Sequence, residues 1–486
     1  MGIRGVHDSK MEGANTLAEQ KRILDTVLQD QRGLLKKYIN SDIEKVPQVF
    51  IPYKEVQDIY DYGIALPEDI TVVWCDDNYG YIKHFPNESE RKRKGGNGVY
   101  YHISYWGRPH DYLWLATTHP AQLYGQMKLA YDKGSRDLWV VNVGDIKPGE
   151  YLTELFLDMA WNIDGIANSK TGLEAHLFDW LEKKFGTNVA KQVLPVMREY
   201  YRLAYIRKPE FMGGTRTEES DPKYKQIADL PFSETEIHQR LKDYKSIADK
   251  VVALSKTIKP EAYAAWFQLV EYPVLGAAQM NFKNLYGQLA RHGKADWQLS
   301  DNAYDAIVVL TEKYNSLNNG KWKGIMDFKP RNLAVFDKVP HEAFDTPLIK
   351  DEKLIAFFNG DQYKRFTKLR PVALGLGYQE GAITLAKGYM VEYEFSGVTD
   401  SVSVQLALAP NHPVEGKTIR YSIQVDNQDP IIINYATVGR SEEWKRNVLS
   451  NQAIRETKHR LASNVKHVVK ITALDEGVIL DQIRIK

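Results

Sequence analysis

Cysteine is almost absent: Cys75 is the only one in 486 residues. A single thiol excludes internal disulfides and zinc sites built from several cysteines. Neither sign of charge is in excess, with 64 Lys+Arg against 63 Asp+Glu and a formal net charge of +1. Nothing in that balance points to nucleic acid or an anionic membrane as partner. No apolar run of about 18 residues occurs, so no segment reads as a membrane span. The opening MGIRGVHDS (1–9) has neither the basic start nor the apolar core of a signal peptide. Internal repeats and low-complexity tracts are also lacking. What is present is ordinary for a folded protein, 43% hydrophobic and 26% charged residues. At about 150 residues per domain the length suggests roughly three domains.

Residues 1–150 alternate short apolar runs with helical stretches. The runs are GIRGV (2–6), VPQVFIPY (46–53), ITVVWC (70–75), GVYYHISY (98–105) and LWVVNVG (138–144). They are β-branched or aromatic without strict alternation, which suits strands buried on both faces of a parallel sheet. Helices are predicted over 14–39, where Leu17, Ile23, Leu24, Val27, Leu28, Leu34 and Leu35 recur at spacings of three and four, and over 120–134, ending at Gly134. Alternating strand and helix predicts βα units.

Residues 151–325 change character. Amphipathic patterns run over 173–185, 188–204, 236–258 and 262–290, the last interrupted at Pro273. They predict an antiparallel helical bundle, with a long loop over 206–235. Residues 326–365 are irregular. Strands are then predicted at 389–397, 402–409, 419–426, 431–435, 466–474 and 478–485, the pattern of a β-sandwich. The expected domains are therefore 1–150, 151–325 and 326–486.

Polar residues gather where the early strands end: His7 and Asp8, Tyr53 and Glu55, Asp76 to Asn78, Tyr100, His102 and Tyr105, Asn142 and Asp145. The C-terminal strand ends of a (β/α) barrel are where such a fold carries its chemistry. Each residue also has a plain structural reading. Asp8 and Glu55 could cap the helices that follow, and Asp76 to Gly80 could form only a turn. Together they suggest more. Parallel strands lie about 4.8 Å apart, so acids on next-nearest strands come within the roughly 6.5–9.5 Å that an inverting glycosidase uses to fit a water. Aromatic residues crowd the same ends, suited to sugar rings or to filling a core. Arg4 could grip a substrate carboxylate or simply neutralise the acids. A rival reading takes His7, Asp8, His102, Asp76 and Asp145 as ligands of a divalent metal in a hydrolase barrel, although no HxH or HExxH spacing occurs.

The stretches WCDDNYGYIKHFPNESERKRKGGNGVYYHISYWGRPHDYLWLATTHP (74–120) and LWVVNVGDIKPGEYLTELFLDMAWN (138–162) closely resemble glycoside hydrolase family 115, the α-glucuronidases. RGVHDS (4–9) is similar to that family's strand-end motif with an Arg and an Asp. The resemblance covers essentially the whole chain. It implies an inverting enzyme, without metal or organic cofactor, that removes glucuronic acid or its 4-O-methyl ether from xylan or related plant polysaccharides. By motif, Glu55 looks like the catalytic carboxylate acting as general acid. Asp8 and Asp76 are the candidates to activate water, with Asp77 weaker. Arg4, Tyr53, Asn78, Tyr100, His102 and Tyr105 match positions expected to hold the uronic acid.

Family members carry an N-terminal domain and the first barrel strands ahead of the RGVHD motif, where this chain begins. The expectation is thus a partial (β/α)8 TIM barrel of about five strands, then the bundle, then the sandwich. The chain reads as a fragment, as half of a split gene whose partner precedes it, or as a remnant without activity. The resemblance also implies export to the periplasm or outside. The sandwich offers a surface through which two copies could pair. A different class of reading is a non-catalytic carbohydrate-binding or assembly protein that retains the incomplete barrel as scaffold.

Overall fold

The computed structural model describes residues 1–5, 10–343, 346–397, 401–462 and 465–486. The chain divides into two compact units. The first comprises Met1–His102, Tyr124–Asn142 and Asn411–Lys417, and the second comprises Ile103–Leu123, Val143–Pro410 and Thr418–Lys486.

The first unit is built on a parallel sheet of β1 (Val49–Phe50), β2 (Thr71–Cys75), β3 (Asn97–His102) and β4 (Leu138–Asn142), side by side in that order. The register sets Phe50 against Val72, Cys75 against Tyr100 and His102 against Asn142. β2 and β3 are buried almost throughout, which is why their sequences run apolar without alternation. Helix α1 (Leu17–Tyr38) starts at a capping box: Thr16 accepts from the Glu19 amide, and the Glu19 carboxylate accepts from the Thr16 amide. Its buried Leu24 and Leu28 join Phe50, Ile59, Val72 and Trp74 in one apolar cluster. Helix α2 (Glu55–Asp61) follows β1, and α3 (Pro120–Asp132) leads to β4.

Four of the five predicted strands of this region are present. The first, GIRGV, is not: residues 2–5 form no strand, and Val6 lies outside the described residues. The polar groups of Gly2 go instead to a side chain, its amide donating to Gln31 Oε1 at 3.0 Å and its carbonyl accepting from Gln31 Nε2 at 3.2 Å. At Gly2, then, a helix side chain takes the backbone groups that a neighbouring strand would otherwise pair.

The second unit opens its helical part with α4 (Glu150–Trp161), α5 (Lys170–Phe185) and α6 (Thr187–Ile206). It continues with α7 (Glu234–Ser255), α8 (Pro260–Trp266), α9 (Tyr272–Arg291) and α10 (Trp297–Gly320). Ser169, Ser233 and Asp296 cap α5, α7 and α10 by accepting from backbone amides in the first turn. α5 packs on α6, and the largely buried α9 packs on α7 and α10. The predicted break near Pro273 is a π-helical turn at Phe267–Glu271, between α8 and α9. Proline has no N–H to give to the preceding turn, and a widened turn absorbs that loss. Helices α4 and α10 add to the four stretches expected from periodicity.

All six predicted C-terminal strands are present, within a six-stranded and a five-stranded antiparallel sheet. Tyr393, Leu406, Ile423, Ile471 and Ile483, drawn from both sheets, share one core. The strand Ala453–Arg460 and helix α11 (Glu442–Ser450) were not expected. Among the described residues no helix is long and apolar enough to cross a membrane.

Gly98 sets how closely β3 and β4 approach. A Cβ there would lie 2.1 Å from the Leu138 carbonyl oxygen, a backbone atom with nowhere to go. Gly98→Ala is therefore expected to destabilise the protein by about 2 kcal/mol or more, read as a lowered urea midpoint. An unchanged midpoint would mean that β4 shifts freely.

Candidate functional site

The polar ends of β1, β2 and β3 lie on one edge of the parallel sheet, because parallel strands present their C-termini together. After β1 the chain turns sharply. The Tyr53 amide donates to the Ile51 carbonyl at 2.8 Å, and Lys54 takes φ 52° and ψ −117°. A lysine in that region is strained, and such strain persists where the surroundings enforce it. Glu55 then begins α2, with Tyr53 on the near side of the turn.

The side chains gather around Tyr53. Its ring stacks on His102 at 5.9 Å between centroids with planes 26° apart, and meets Tyr100 edge-on at 6.2 Å. The Arg4 guanidinium lies over the same ring at 5.0 Å, as does the Lys54 ammonium. Arg4 Nε donates to Glu55 Oε1 at 2.9 Å, and Glu55 is buried. Tyr100 OH accepts from Asn142 Nδ2 at 2.6 Å, so β4 contributes to the group. Burial pushes the Tyr100 phenol up from its ordinary range.

The end of β2 is a tight loop. Asp76 bridges to Ile82, and the Asp77 amide donates to the Tyr81 carbonyl at 2.8 Å. Asn78 sits at the turn with φ 72°, which asparagine tolerates better than most residues. Asp77 Oδ1 accepts from the amides of Tyr79 and Tyr81 at 2.9 and 3.3 Å, and Oδ2 pairs with His412 Nε2 at 3.0 Å. Asp77 thus has the turn-forming role that its sequence context allows.

Asp76 faces a different set of partners. Its Oδ1 lies 2.5 Å from His102 Nδ1, and its Oδ2 accepts from the amides of Gly80 at 3.0 Å and His102 at 3.4 Å. Its side chain is 0% exposed and that of His102 is 2% exposed. Burial pushes the Asp76 carboxyl up, opposed by the pull of His102. A continuous path of contacts therefore runs from Glu55 through Arg4, Tyr53 and His102 to Asp76.

Other sequence candidates fall elsewhere. Asp8 and His7 lie outside the described residues. Tyr105 and Asp145 belong to the second unit, where Tyr105 pairs with Tyr112 in an antiparallel bridge. Among the described residues no group of three or more His, Cys, Asp or Glu side chains is placed to hold a metal. Sequence reading did not single out the support beneath the loop. Gln126 Oε1 accepts from the Ile82 amide at 2.9 Å, and Gln126 Nε2 donates to Asn411 at 2.8 Å. Asn411 and His412 come from a segment more than 300 residues after β2, and no local pattern marks them.

Comparisons with known proteins bear on this arrangement. A family model described as glycosyl hydrolase family 115 matches residues 1–211, and the family's C-terminal domain model matches residues 378–486. Curated proteins give no match. One solved structure is described as a novel family GH115 4-O-methyl-α-glucuronidase, BtGH115A, with specificity for decorated arabinogalactans. It is 54% identical and has a TM-score of 0.97, the match covering 100% of this chain and 64% of that one. The chain thus spans less than two thirds of that relative. A carbohydrate-binding module of Cellvibrio mixtus lichenase 5A, solved with cellotriose, is 13% identical over 28% of this chain and 98% of that one, TM-score 0.22. A family 35 module from Paenibacillus barcinonensis is 16% identical over 27% and 98%, TM-score 0.21. Scores this low carry no argument. The two family models together take in more than half of the residues, and the full-length likeness agrees with them: the chain belongs to glycosyl hydrolase family 115.

Proposed function

We propose that this chain carries the catalytic edge of an inverting α-glucuronidase acting on plant polysaccharides decorated with glucuronic acid or its 4-O-methyl ether. The observation that carries the reading is the buried Glu55 held by Arg4 and joined through Tyr53 to the His102–Asp76 pair. The parallel order of β1 to β4, with chemistry at the C-terminal ends, supports taking the sheet as the later part of a (β/α) barrel. Decorated arabinogalactan is the first substrate to test, because the relative at 54% identity is described with that specificity. Xylan-derived aldouronic acids are the comparison.

In this reading a uronic acid enters with its carboxylate toward Arg4. A guanidinium can take a carboxylate in two parallel hydrogen bonds, and Arg4 lies beside Glu55 and over the Tyr53 ring, where it can do so. Glu55 is then left to carry the proton that the leaving oxygen needs. Tyr53 and Tyr100 offer flat faces and polar edges to the sugar. Asp76 is committed to His102 on one oxygen and to backbone amides on the other. We therefore assign Asp76 to positioning His102 and Asp8 to activating water. The water attacks opposite the leaving oxygen, so the α-linked sugar is released first as the β-anomer.

Three outcomes test these roles. Glu55→Gln should lower kcat by about 10²–10⁴-fold on natural linkages, and by much less on an activated glycosyl fluoride that needs no proton. Equal losses on both, measured by uronic acid release, would remove Glu55 as general acid. Arg4→Ala should lower kcat/KM on uronosides far more than on the matching neutral glycosides. A uniform loss would make Arg4 structural. Asp76→Asn keeps an acceptor toward His102 but removes the charge, and is expected to lower kcat/KM by about 10–100-fold without a change in rescue by azide. A loss beyond about 10³-fold that azide restores would make Asp76 the base.

A further inference from the structure

A cavity of about 380 Å³, including its open mouth, lies within the second unit and shares no residue with the candidate site. Its floor is apolar, from Leu173 and Leu177 on α5, and its wall is aromatic. His119 meets Tyr201 edge-on at 6.4 Å, and Tyr201 lies 6.1 Å from Tyr151.

Two polar groups in that wall have no hydrogen-bond partner among the described residues. The first is the hydroxyl of Tyr201, a side chain on α6 that is 3% exposed. The hydroxyl of Tyr151, by contrast, reaches His176 Nδ1 at 3.4 Å. The second is Nε2 of His119, a residue 7% exposed. The other ring nitrogen, Nδ1, accepts from the Ala121 amide at 3.1 Å in the first turn of α3. That contact fixes the tautomer and leaves the proton on Nε2 as a donor. Burial and the positive end of the helix both oppose a second proton. His119 thus offers a neutral N–H, and Tyr201 beside it can give or accept.

Charge sits at the side and is already matched. Lys170 and Arg198 both bind Glu380 Oε2 at 2.7 Å, and Arg198 also binds Glu174 at 3.0 Å. An entering anion would have to displace Glu380 or Glu174, and an entering cation would have to displace Lys170 or Arg198. A neutral ligand displaces neither. Aromatic faces, an apolar floor and two unmet hydrogen-bonding groups describe a site for one small polyhydroxylated ring.

We infer that the cavity bounded by His119, Tyr151 and Tyr201 is an accessory site for a neutral monosaccharide, held by hydrogen bonds to His119 Nε2 and the Tyr201 hydroxyl. The whole chain should be titrated with D-galactose, L-arabinose and D-glucuronate, followed by calorimetry and saturation-transfer NMR. A neutral sugar of about a dozen heavy atoms should bind with a Kd of the order of millimolar. Tyr201→Phe, which removes one oxygen, should weaken that binding by about fivefold. Leu374→Trp, which fills the cavity from its rim, should abolish it. Both variants should keep the wild-type melting temperature, and D-glucuronate should show no binding that either variant removes. Should the tryptophan variant fail to fold, Tyr201→Phe decides alone. The inference is overturned if neither neutral sugar binds up to about 100 mM, if binding is the same in wild type and Tyr201→Phe, or if D-glucuronate competes equally for the cavity.

Discussion

The short contact between Asp76 and His102 is the constraint on which the candidate site rests. Two ionisable groups with almost no exposed surface are tolerable only as a pair, since a lone buried charge is strongly disfavoured. Their pairing holds the end of β2 to the end of β3, and it turns the His102 ring so that Tyr53 can stack on it. Tyr53 in turn carries Arg4 on its face, and Arg4 reaches Glu55. The Asp76 carboxylate also takes the Gly80 amide, so the same group closes the loop after β2. Loop closure, ring orientation and the placement of Glu55 are thus successive consequences of one buried contact.

A second constraint is backbone strain at Lys54. A lysine with φ 52° is held against its own preference, and the turn it makes brings Tyr53 and Glu55, two residues apart, to separate tasks. One lies against His102 and the other receives Arg4. Relaxing Lys54 to a common backbone conformation would redirect both side chains at once, which is a reason for strain to be kept at this position.

Legibility in the sequence followed the range of the interactions involved. The strands 70–75 and 98–105 were readable because burial on both faces makes a continuous apolar run, and 138–144 because its run is β-branched and aromatic although the strand is only half-buried. Amphipathic helices α5, α6 and α7 were readable from period, and the break at Pro273 from a missing N–H. GIRGV misled because a β-branched run says nothing about whether a ladder partner is available, and here Gln31 takes the backbone groups of Gly2. Strand Ala453–Arg460 was hidden because its sequence, AIRETKHR, has polar residues on the core side as well, His459 and Thr457 among them. In the site, the acids and aromatics at strand ends could be named from position alone. Which acid does what could not, because Asp76 and Asp77 are adjacent and alike until their partners are known.

Those partners separate the two aspartates by physical role. Asp77 points its oxygens at amides two and four residues ahead and at His412, so it stabilises a turn from within. Asp76 points at a histidine on the next strand, and its burial raises the cost of leaving that histidine. Alternation along an extended backbone sends neighbouring side chains to opposite faces. That is enough to give one carboxylate to the loop and the other to the sheet edge. The pair reads as a duplication in sequence, yet it is Asp76 that pairs with His102, whose ring stacks on Tyr53. A site of this kind needs its polar groups restrained by neighbours that are themselves restrained. Here His102 is held by Asp76 and Tyr100 by Asn142, so both rings that flank Tyr53 are set before any substrate arrives.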